Sequence, residues 1–223
     1  MKAYQIIIEL EHTDPVVWRR VVAPAGATFK RMHDIIQIVT NFQGGYPSDG
    51  YHLYEFYLED DNIIVTNDEQ AYDEAVFFKK NPDILKKEFD RISDLHIEAQ
   101  EAIGKRLKAK VYKPTGIKIN KYLEKQGKLY YSYDFGDDWH FIVTLEDIIY
   151  DYPYGYPQLI DGECEAPPED VGGIPGFYEF LRAYYTKKPS SEQKELARWG
   201  KSIGFREYDP EHINIMLKSI KYK

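Results

Sequence analysis

The stretch "YSYDFGDDWHFIVTLE", residues 131–146, is typical of a β-hairpin, because apolar and aromatic residues alternate with polar ones on both sides of the turn-forming "GDD". With these three residues as the loop, Phe135 pairs with Trp139. Asp134 then lies opposite His140 on the same face. The pattern therefore predicts two neighbouring strands of a sheet, joined by an acidic tip.

The acidic tip has a chemical and a structural interpretation. A carboxylate beside an imidazole can orient the ring, which suits a general base or a metal ligand. Alternatively, Asp137 and Asp138 are turn residues that bond nearby backbone amides, and the rings of Phe135 and Trp139 close the core beneath them. An Asp–His pair without a visible nucleophile favours the structural interpretation.

The composition excludes several classes of protein. The 223 residues include one cysteine, Cys164, so an intrachain disulfide is excluded, and no C-x-x-C zinc spacing is present. No apolar run approaches the ~20 residues that span a bilayer, and the N-terminus reads as a strand, not as a signal peptide. We therefore expect a protein of the reducing cytoplasm with no membrane partner.

Charge is distributed unevenly along the chain, whose formal net charge is −8. Residues 105–128 hold nine basic residues and one acid, Glu124, whereas residues 129–186 hold twelve acids and one basic residue, Arg182. The basic segment could bind phosphates, although it contains only two aromatic residues. The adjoining acidic excess favours a different prediction, that the basic segment lies against residues 129–186 in the same molecule or in a dimer mate.

The first third of the chain is typical of a helix packed on a sheet. Two alternating strands surround "TDP", and Thr28 can cap a helix whose apolar residues recur at helical spacing up to "GGYPSDG". "YHLYEFYLED" and "NIIVT" follow as further strands. This order predicts an α+β fold in which a helix packs on one face of a mixed sheet of five to seven strands, in the manner of a β-grasp.

The rest of the chain predicts a helical insertion and C-terminal helices. Residues from about 68 to 128 are mostly charged helical sequence, after which the hairpin returns the chain to the sheet. We expect one α+β domain over residues 1–186 that includes this insertion, with C-terminal helices in residues 187–223 packed on it. Three helices are predicted after the sheet: Pro175 to Tyr185, Ser191 to about Trp199 with a capping box of Ser190 and Gln193, and Pro210 to about Lys221.

The acidic, proline-rich stretch "GECEAPPEDVGG" starts at Gly162. Pro168 suits the first position of a short helix, with Glu169 and Asp170 at its positive end and a glycine at its carboxyl end. In the functional alternative, Glu163, Glu169 and Asp170 are oxygen ligands for Mg²⁺ or Ca²⁺, or anchors for a basic partner.

Arginine and histidine residues elsewhere could complete such a site. In "VVWRR", Arg19 and Arg20 fall on opposite strand faces, and either could neutralise the acidic hairpin or "PPEDVGG". His33 and His52 could approach the sheet core, where a buried, hydrogen-bonded histidine is commoner than a ligand. Metal binding by these histidines or His140 with the nearby acids is the alternative.

Four stretches in this order resemble a known family: "PVVWRRVVAPAGATFKRMHDIIQIV", "HLYEF", "YSYDFGDDWHFIVTLE" and "GECEAPPEDVGG". They are similar to the Ri-plasmid (pRiA) open-reading-frame-three-like family of plasmids and mobile elements, some members of which are labelled passenger protein TnpR or resolvase. The resemblance spans about residues 4–185 and implies an α+β domain with a β-grasp-like sheet. The family pattern places its histidine one residue after the position of His140, which changes the strand face.

Catalytic signatures are missing from the sequence. It contains no P-loop, G-x-G-x-x-G, nucleophile elbow or kinase motif, and neither a serine- nor a tyrosine-recombinase arrangement. The leading hypothesis is therefore a non-catalytic binding or accessory protein of a mobile-element-type family, without a cofactor, that binds a protein partner or a second copy of itself. Its predicted binding residues form an acidic, aromatic-lined surface: Arg19, Asp134, Asp137, Asp138, Trp139, His140, Glu169 and Asp170.

Two other functions remain open. The first is a metal-dependent hydrolytic enzyme that holds a divalent metal with Asp134, His140, Glu169 and Asp170. The second is nucleic-acid binding through residues 105–128.

Overall fold

The computed structural model describes residues 1–45 and 52–220. The described residues form one mixed sheet of eight strands in the order β5-β4-β3-β6-β7-β1-β2-β8. The strands are β1 (Ala3–Leu10), β2 (Val17–Pro24), β3 (Tyr54–Leu58), β4 (Ile63–Thr66), β5 (Lys110–Tyr112), β6 (Lys128–Tyr133), β7 (Trp139–Ile149) and β8 (Gln158–Glu163). The predicted α+β class is confirmed, whereas the likeness to a β-grasp stays a prediction.

Eight helices are present in the same ranges. They are α1 (Phe29–Val39), α2 (Glu69–Lys80), α3 (Pro82–Ile92), α4 (Ile97–Leu107), α5 (Leu123–Gln126), α6 (Gly173–Tyr185), α7 (Ser191–Ser202) and α8 (Pro210–Leu217). Among the described residues, no helix combines the length and the apolar character needed to cross a membrane.

The core lies between α1 and the sheet. Thr28 caps α1 as predicted, since its hydroxyl accepts a hydrogen bond from the amide of Arg31. The apolar face of α1 is buried against aromatic residues of β3 and β6, and Phe29 contacts Phe56 edge to face with ring centroids 5.1 Å apart. Aromatic residues fill this layer because each large ring buries much apolar surface, so a few of them cover this face of the sheet.

Both halves of the chain contribute to the sheet. β3 pairs with β6 although the partner residues are 73 to 79 positions apart in sequence, so the hairpin returns the chain beside the earlier strands. Helices α2, α3 and α4 occupy the predicted insertion, whereas the domain division at residue 186 stays a prediction. The expected five to seven strands were too few, because the pattern missed two strands: β5, a three-residue edge strand parallel to β4 inside the charged segment, and β8, which pairs with β2 at the other edge of the sheet.

The register of the hairpin differs from the predicted one. Tyr133 pairs with Trp139 and Ser132 with His140, so residues 134–138 form a five-residue loop. Asp134 leaves the strand because its backbone has a φ of 51°, in the left-handed region that aspartate tolerates. The expected pairs of Phe135 with Trp139 and Asp134 with His140 were therefore wrong. Trp139 is buried as expected, but Phe135 is exposed.

The prediction of a short helix at Pro168 was also wrong. Residues 169–170 form a turn, and Gly172 instead caps α6 with a left-handed backbone. The C-terminal helices are present, including the capping box of Ser190 and Gln193. The predicted turn at residues 46–50 and the predicted helix end at 221 lie outside the described residues.

Arg19 binds main-chain carbonyls rather than the predicted carboxylates. Its guanidinium donates to the carbonyls of Trp18 and Glu163 at 2.7 Å and to that of Cys164 at 2.9 Å, and its Nε donates to Val39 at 2.9 Å. Burial lowers the pKa of Arg19 to about 10. This side chain therefore joins the end of α1 to β2 and to the turn after β8. Arg20 pairs with Glu146 instead, at 2.6 Å, and not with the acidic tip.

The basic segment, residues 105–128, was predicted to lie against the acidic residues 129–186. Within residues 1–45 and 52–220, none of its ion pairs is with an acid of residues 129–186. Arg106 binds Glu55 bidentately at 2.8 and 3.0 Å. The other paired lysines of the segment bind acids of residues 59–69: Lys105 with Glu59, Lys113 with Glu69, and Lys125 with Asp61. The intramolecular version of the prediction was wrong, because acids on β3, in the turn between β3 and β4, and at the start of α2 pair with the segment instead. Contact with a dimer mate stays a prediction.

Replacement of Arg19 tests its structural role. The Arg19→Met variant keeps much of the side-chain volume but leaves buried carbonyls without donors, so the free energy of unfolding should fall by about 3 kcal/mol. The measurement is urea denaturation followed by far-UV circular dichroism. In the control variant, Arg20→Met, the loss should be clearly smaller, since its ion pair is partly exposed. Equal losses in the two variants would contradict the proposed role.

Candidate functional site

A histidine and two carboxylates meet where the hairpin approaches the start of β3. Asp134 is fixed by its backbone, since its amide donates to the carbonyl of Leu53 at 3.0 Å and its carbonyl accepts from the amide of Asp138 at 2.7 Å. One oxygen of its carboxylate accepts the amide of Gly136 at 3.0 Å. The five-residue loop thus points this carboxylate inward, next to His52.

The second carboxylate comes from the turn before α6. Glu169 is 3% exposed, and its Oε2 accepts the backbone amide of Gln43 at 2.7 Å. Asn41 and Pro168 form an isolated β-bridge that holds this turn beside the end of α1. The position of Glu169 therefore depends on contacts with the residues that follow α1.

The imidazole of His52 lies between these carboxylates. Its Nδ1 is 3.5 Å from Oδ1 of Asp134, and its Nε2 is 3.8 Å from Oε1 of Glu169. Nε2 is also 3.0 Å from Oδ1 of Asp170, whose side chain is half exposed. One ligand atom from each of His52, Asp134 and Glu169 lies within 4.8 Å of the others. Such spacing lets a single cation contact all three.

Glu169 is the most constrained member of the cluster. Burial raises the pKa of its carboxyl group, and the hydrogen bond from the Gln43 amide offsets part of this increase. Its Oε1 is buried and forms no hydrogen bond with the described residues. A buried carboxylate oxygen without a hydrogen-bond donor is costly, so a proton or a cation at this atom would stabilise it.

Aromatic side chains form the wall behind the cluster. The ring of Tyr133 meets that of His52 edge to face, with centroids 5.8 Å apart. Burial, followed by the charge of Glu169, raises the pKa of Tyr133. Its hydroxyl forms no standard hydrogen bond within the described residues, although it lies close enough to Glu169 for each group to affect the pKa of the other. The indole nitrogen of buried Trp139 is likewise without a hydrogen-bond acceptor in that part of the chain. The wall therefore places one polar group, the Tyr133 hydroxyl, near Glu169, and one indole N–H without an acceptor among the described residues.

The residues at the tip of the hairpin form their hydrogen bonds with groups outside this cluster. His140 contacts Asp138 through Nε2 at 2.8 Å and the hydroxyl of Ser132 through Nδ1 at 3.0 Å. Asp137 accepts the amide of Gly172 at 3.0 Å, which ties the loop to the start of α6. For Asp137 the structural interpretation is therefore supported. The structure brings together Asp134, Glu169 and Asp170, but pairs His140 with Asp138 instead.

The predicted metal ligands included His140 as the histidine. In the structure, His52 lies at that place in the cluster. The sequence indicated both histidines, and spacing alone could not distinguish them, because the residue that faces Asp134 depends on how the loop folds. His33 fits the structural interpretation, since it is buried and bonds the hydroxyl of Tyr131 at 2.8 Å and the carbonyl of Gly44 at 2.9 Å. Gln43, which fixes Glu169 through its amide, left no signal in the sequence.

The comparison with family models gives a match over most of the chain. Residues 2–217 match the model of the plasmid pRiA4b ORF-3-like proteins. The chain belongs to this family. The residues of the cluster and of the Arg19 contacts all lie inside the matched region.

Two relatives extend this result. An uncharacterized protein of Sinorhizobium fredii, y4hQ, is 27% identical over 208 residues, which is 93% of this chain and 84% of that protein. The crystal structure of MM3350, a protein of unknown function from Methanosarcina mazei Go1, is similar with a TM-score of 0.63 and 23% identity. This likeness covers 95% of this chain and 96% of MM3350, and it shows a shared fold.

The raised pKa of Glu169 predicts a pH dependence of stability. Because the pKa of this acid is higher in the folded than in the unfolded chain, the folded state bears a penalty above the folded-state pKa. That penalty disappears as the pH falls towards the unfolded value, so this carboxyl group makes stability decrease with rising pH. In metal-free buffer, the Glu169→Gln variant should lack this contribution.

The measurement is the urea midpoint of both proteins between about pH 4 and pH 8 in the presence of a chelator. Glu192→Gln, in the exposed first turn of α7, is the control for loss of one negative charge. A difference between wild type and Glu169→Gln that stays constant across the series would contradict the prediction.

Proposed function

We propose that this protein is a non-catalytic binding protein of a plasmid and mobile-element type, and that a divalent cation organises its binding surface. The cation would be held by His52, Asp134 and Glu169, with Asp170 at the open side. The observation that carries the proposal is the buried Oε1 of Glu169, which has no hydrogen bond among the described residues and lies in a cluster of ligand atoms within 4.8 Å of one another.

The donor set indicates the kind of cation. One imidazole nitrogen and two or three carboxylate oxygens suit Mn²⁺, Zn²⁺ or Fe²⁺ better than Mg²⁺ or Ca²⁺, which prefer oxygen ligands alone. A cation would also offset the charges of Asp134 and Glu169, two buried carboxylates on either side of His52. The ion would thus stabilise the surface that contacts the partner.

The partner would meet the cluster from the side of Asp170. This carboxylate is half exposed and the His52 side chain is a quarter exposed, whereas Asp134 and Glu169 are buried. A carboxylate or other oxygen donor of a partner protein could complete the coordination from solvent. The tip of the hairpin, with Asp137, Asp138 and exposed Phe135, borders this side and would supply further contacts.

A hydrolytic enzyme is the second candidate, and the same open side favours it. A metal ion with a free coordination position can bind water and lower its pKa, which produces a nucleophile at neutral pH. Here the ligands would be His52, Asp134, Glu169 and Asp170, with His52 in the place first assigned to His140. Metal-dependent turnover is therefore the outcome that would replace the non-catalytic proposal.

Calorimetric titration with Mn²⁺, Zn²⁺ and Mg²⁺ tests the metal site. We expect one transition-metal ion per chain and weaker binding of Mg²⁺. Asp134→Asn and Glu169→Gln should each lower the affinity at least tenfold, or about 1.4 kcal/mol. Asp138→Asn is the matched control and should bind the ion as the wild type does, because Asp138 pairs with His140 outside the cluster.

Three results would count against this function. Wild type that binds no transition metal at ~100 μM, well above the range of specific sites, would remove the metal site. An affinity lowered equally by Asp138→Asn would move it to the tip of the hairpin. Metal-dependent hydrolysis of p-nitrophenyl phosphate or acetate that is lost in Asp134→Asn would make the protein an enzyme.

Nucleic-acid binding by the basic segment is not favoured. Lys105, Arg106, Lys113 and Lys125 already pair with carboxylates, which lowers the positive potential available to phosphates. Fluorescence anisotropy with labelled DNA and RNA should show no micromolar binding at ~150 mM salt. Micromolar binding with a steep salt slope would contradict this expectation if it were abolished by glutamine at all of Lys105, Arg106, Lys108 and Lys110.

A further inference from the structure

A second concave site lies beyond the end of α1, away from the ligand atoms of the acidic cluster. Its volume is about 540 Å³, within the range of small-molecule pockets. Its walls are the residues that follow α1, the connection between α7 and α8, and one face of α8. We propose that this cavity binds a small organic anion, with a carboxylate or phosphate head group at Arg206 and an apolar body against the opposite wall.

Arg206 is held at the cavity by its backbone. The side chain of Asn41 accepts the amide of Arg206 at 3.1 Å and donates to its carbonyl at 3.0 Å. The guanidinium of Arg206 donates to Nε2 of His212 at 2.7 Å. An imidazole carries no negative charge that could neutralise this cation, so the N–H groups of Arg206 remain suited to a carboxylate or phosphate. A fixed backbone with an unneutralised guanidinium is a prepared anion site.

Arg19 adds positive charge at the inner end of the cavity. Its guanidinium stacks on the ring of Tyr208, 4.2 Å from the centroid, and both residues line the cavity. Four of its five N–H groups donate to carbonyls, and the fifth, on Nη2, has no acceptor among the described residues. Within those residues neither Arg19 nor Arg206 forms an ion pair with a carboxylate. Two arginines without carboxylate partners therefore face one cavity, in a chain of net charge −8.

The acids at the rim are engaged in other bonds. Glu207 accepts the hydroxyl of Tyr184 at 3.0 Å, and Asp209 caps α8 by accepting the amide of His212 at 3.0 Å. Glu165, which is not among the residues that line the cavity, accepts the amide of Tyr208 at 2.5 Å. These bonds fix the carboxylates in place without pairing them with Arg206. The anion would therefore bind at the guanidinium.

The remaining wall is apolar, so the part of the ligand beyond its anionic head group should be apolar as well. The wall consists of Ile38, Phe42, Ile203, Ile213 and Met216. Inorganic phosphate alone would leave this surface wet, whereas an aromatic or short aliphatic group would bury it. Benzoate and phenyl phosphate are therefore suitable probes, and they differ only in the head group.

Calorimetric titration with benzoate, phenyl phosphate and inorganic phosphate, all with a chelator present, tests the cavity independently of the metal site. At least one of the aromatic anions should bind at a 1:1 ratio, and at least tenfold more tightly than inorganic phosphate. The Arg206→Gln variant should lose at least tenfold in affinity for that anion, since a charge-assisted hydrogen bond is removed. Arg198→Gln, an exposed arginine of α7 outside the cavity, is the matched control and should bind normally.

The head group that binds more tightly identifies the ligand as a carboxylate or a phosphate. Absence of binding by both aromatic anions at millimolar concentration would overturn the proposal. Equal affinity of Arg206→Gln and wild type would also overturn it, because Arg206 is exposed and its replacement should not disturb folding. Inorganic phosphate that binds as tightly as phenyl phosphate would refute the role of the apolar wall.

Discussion

The guanidinium of Arg19 is the contact on which the arrangement of the functional residues depends. Through hydrogen bonds to the carbonyls of Val39, Trp18, Glu163 and Cys164, it joins α1, β2 and the turn after β8. A buried cation is costly unless it is compensated, and here carbonyl dipoles and the Tyr208 ring take the place of a carboxylate. The approach is close, because a Cβ on Gly162 would lie 2.8 Å from the side chain of Arg19 and 2.8 Å from the carbonyl of Trp18. A glycine is therefore needed at this point of β8.

The same contact connects the two candidate sites. The chain leaves α1 at Val39, and the next residues serve both sites: the Asn41 side chain holds Arg206, and the Gln43 amide holds Glu169. The segment 166–170 closes against these residues through the bridge between Asn41 and Pro168. A shift of the end of α1 would therefore change the acidic cluster and the cavity together. The first site gathers carboxylates, and the second holds the guanidinium groups of Arg19 and Arg206, so the two proposals call for ligands of opposite charge.

The ion-paired basic residues of the segment 105–128 bind acids of neighbouring elements and, within the described ranges, not the acidic residues 129–186. Four of the nine basic residues of the basic segment, Lys105, Arg106, Lys113 and Lys125, form ion pairs with acids of residues 55–69. Consequently these lysines and arginines are engaged elsewhere and are not paired with the acids of the cluster. Asp134 and Glu169 instead face a histidine that also contacts Asp170. An excess of buried and half-buried carboxylates around one imidazole is the electrostatic basis of the proposed cation site.

The sequence by itself determined the α+β class, the hairpin, the helix caps at Thr28 and Ser190, and three of the acids that meet around His52. These features are local: alternation, helical spacing and capping residues act within a few positions. Tertiary structure alone decided that His52 rather than His140 joins Asp134, because the left-handed backbone at Asp134 lengthens the loop by two residues relative to the predicted turn. It also decided that Arg19 binds carbonyls and that the basic segment pairs with residues 55–69. Each of these choices joins residues distant in sequence, and several charged partners of equal chemistry compete for each one. Only the packing of α1, the sheet and the turns around it determines which partner lies within hydrogen-bond distance.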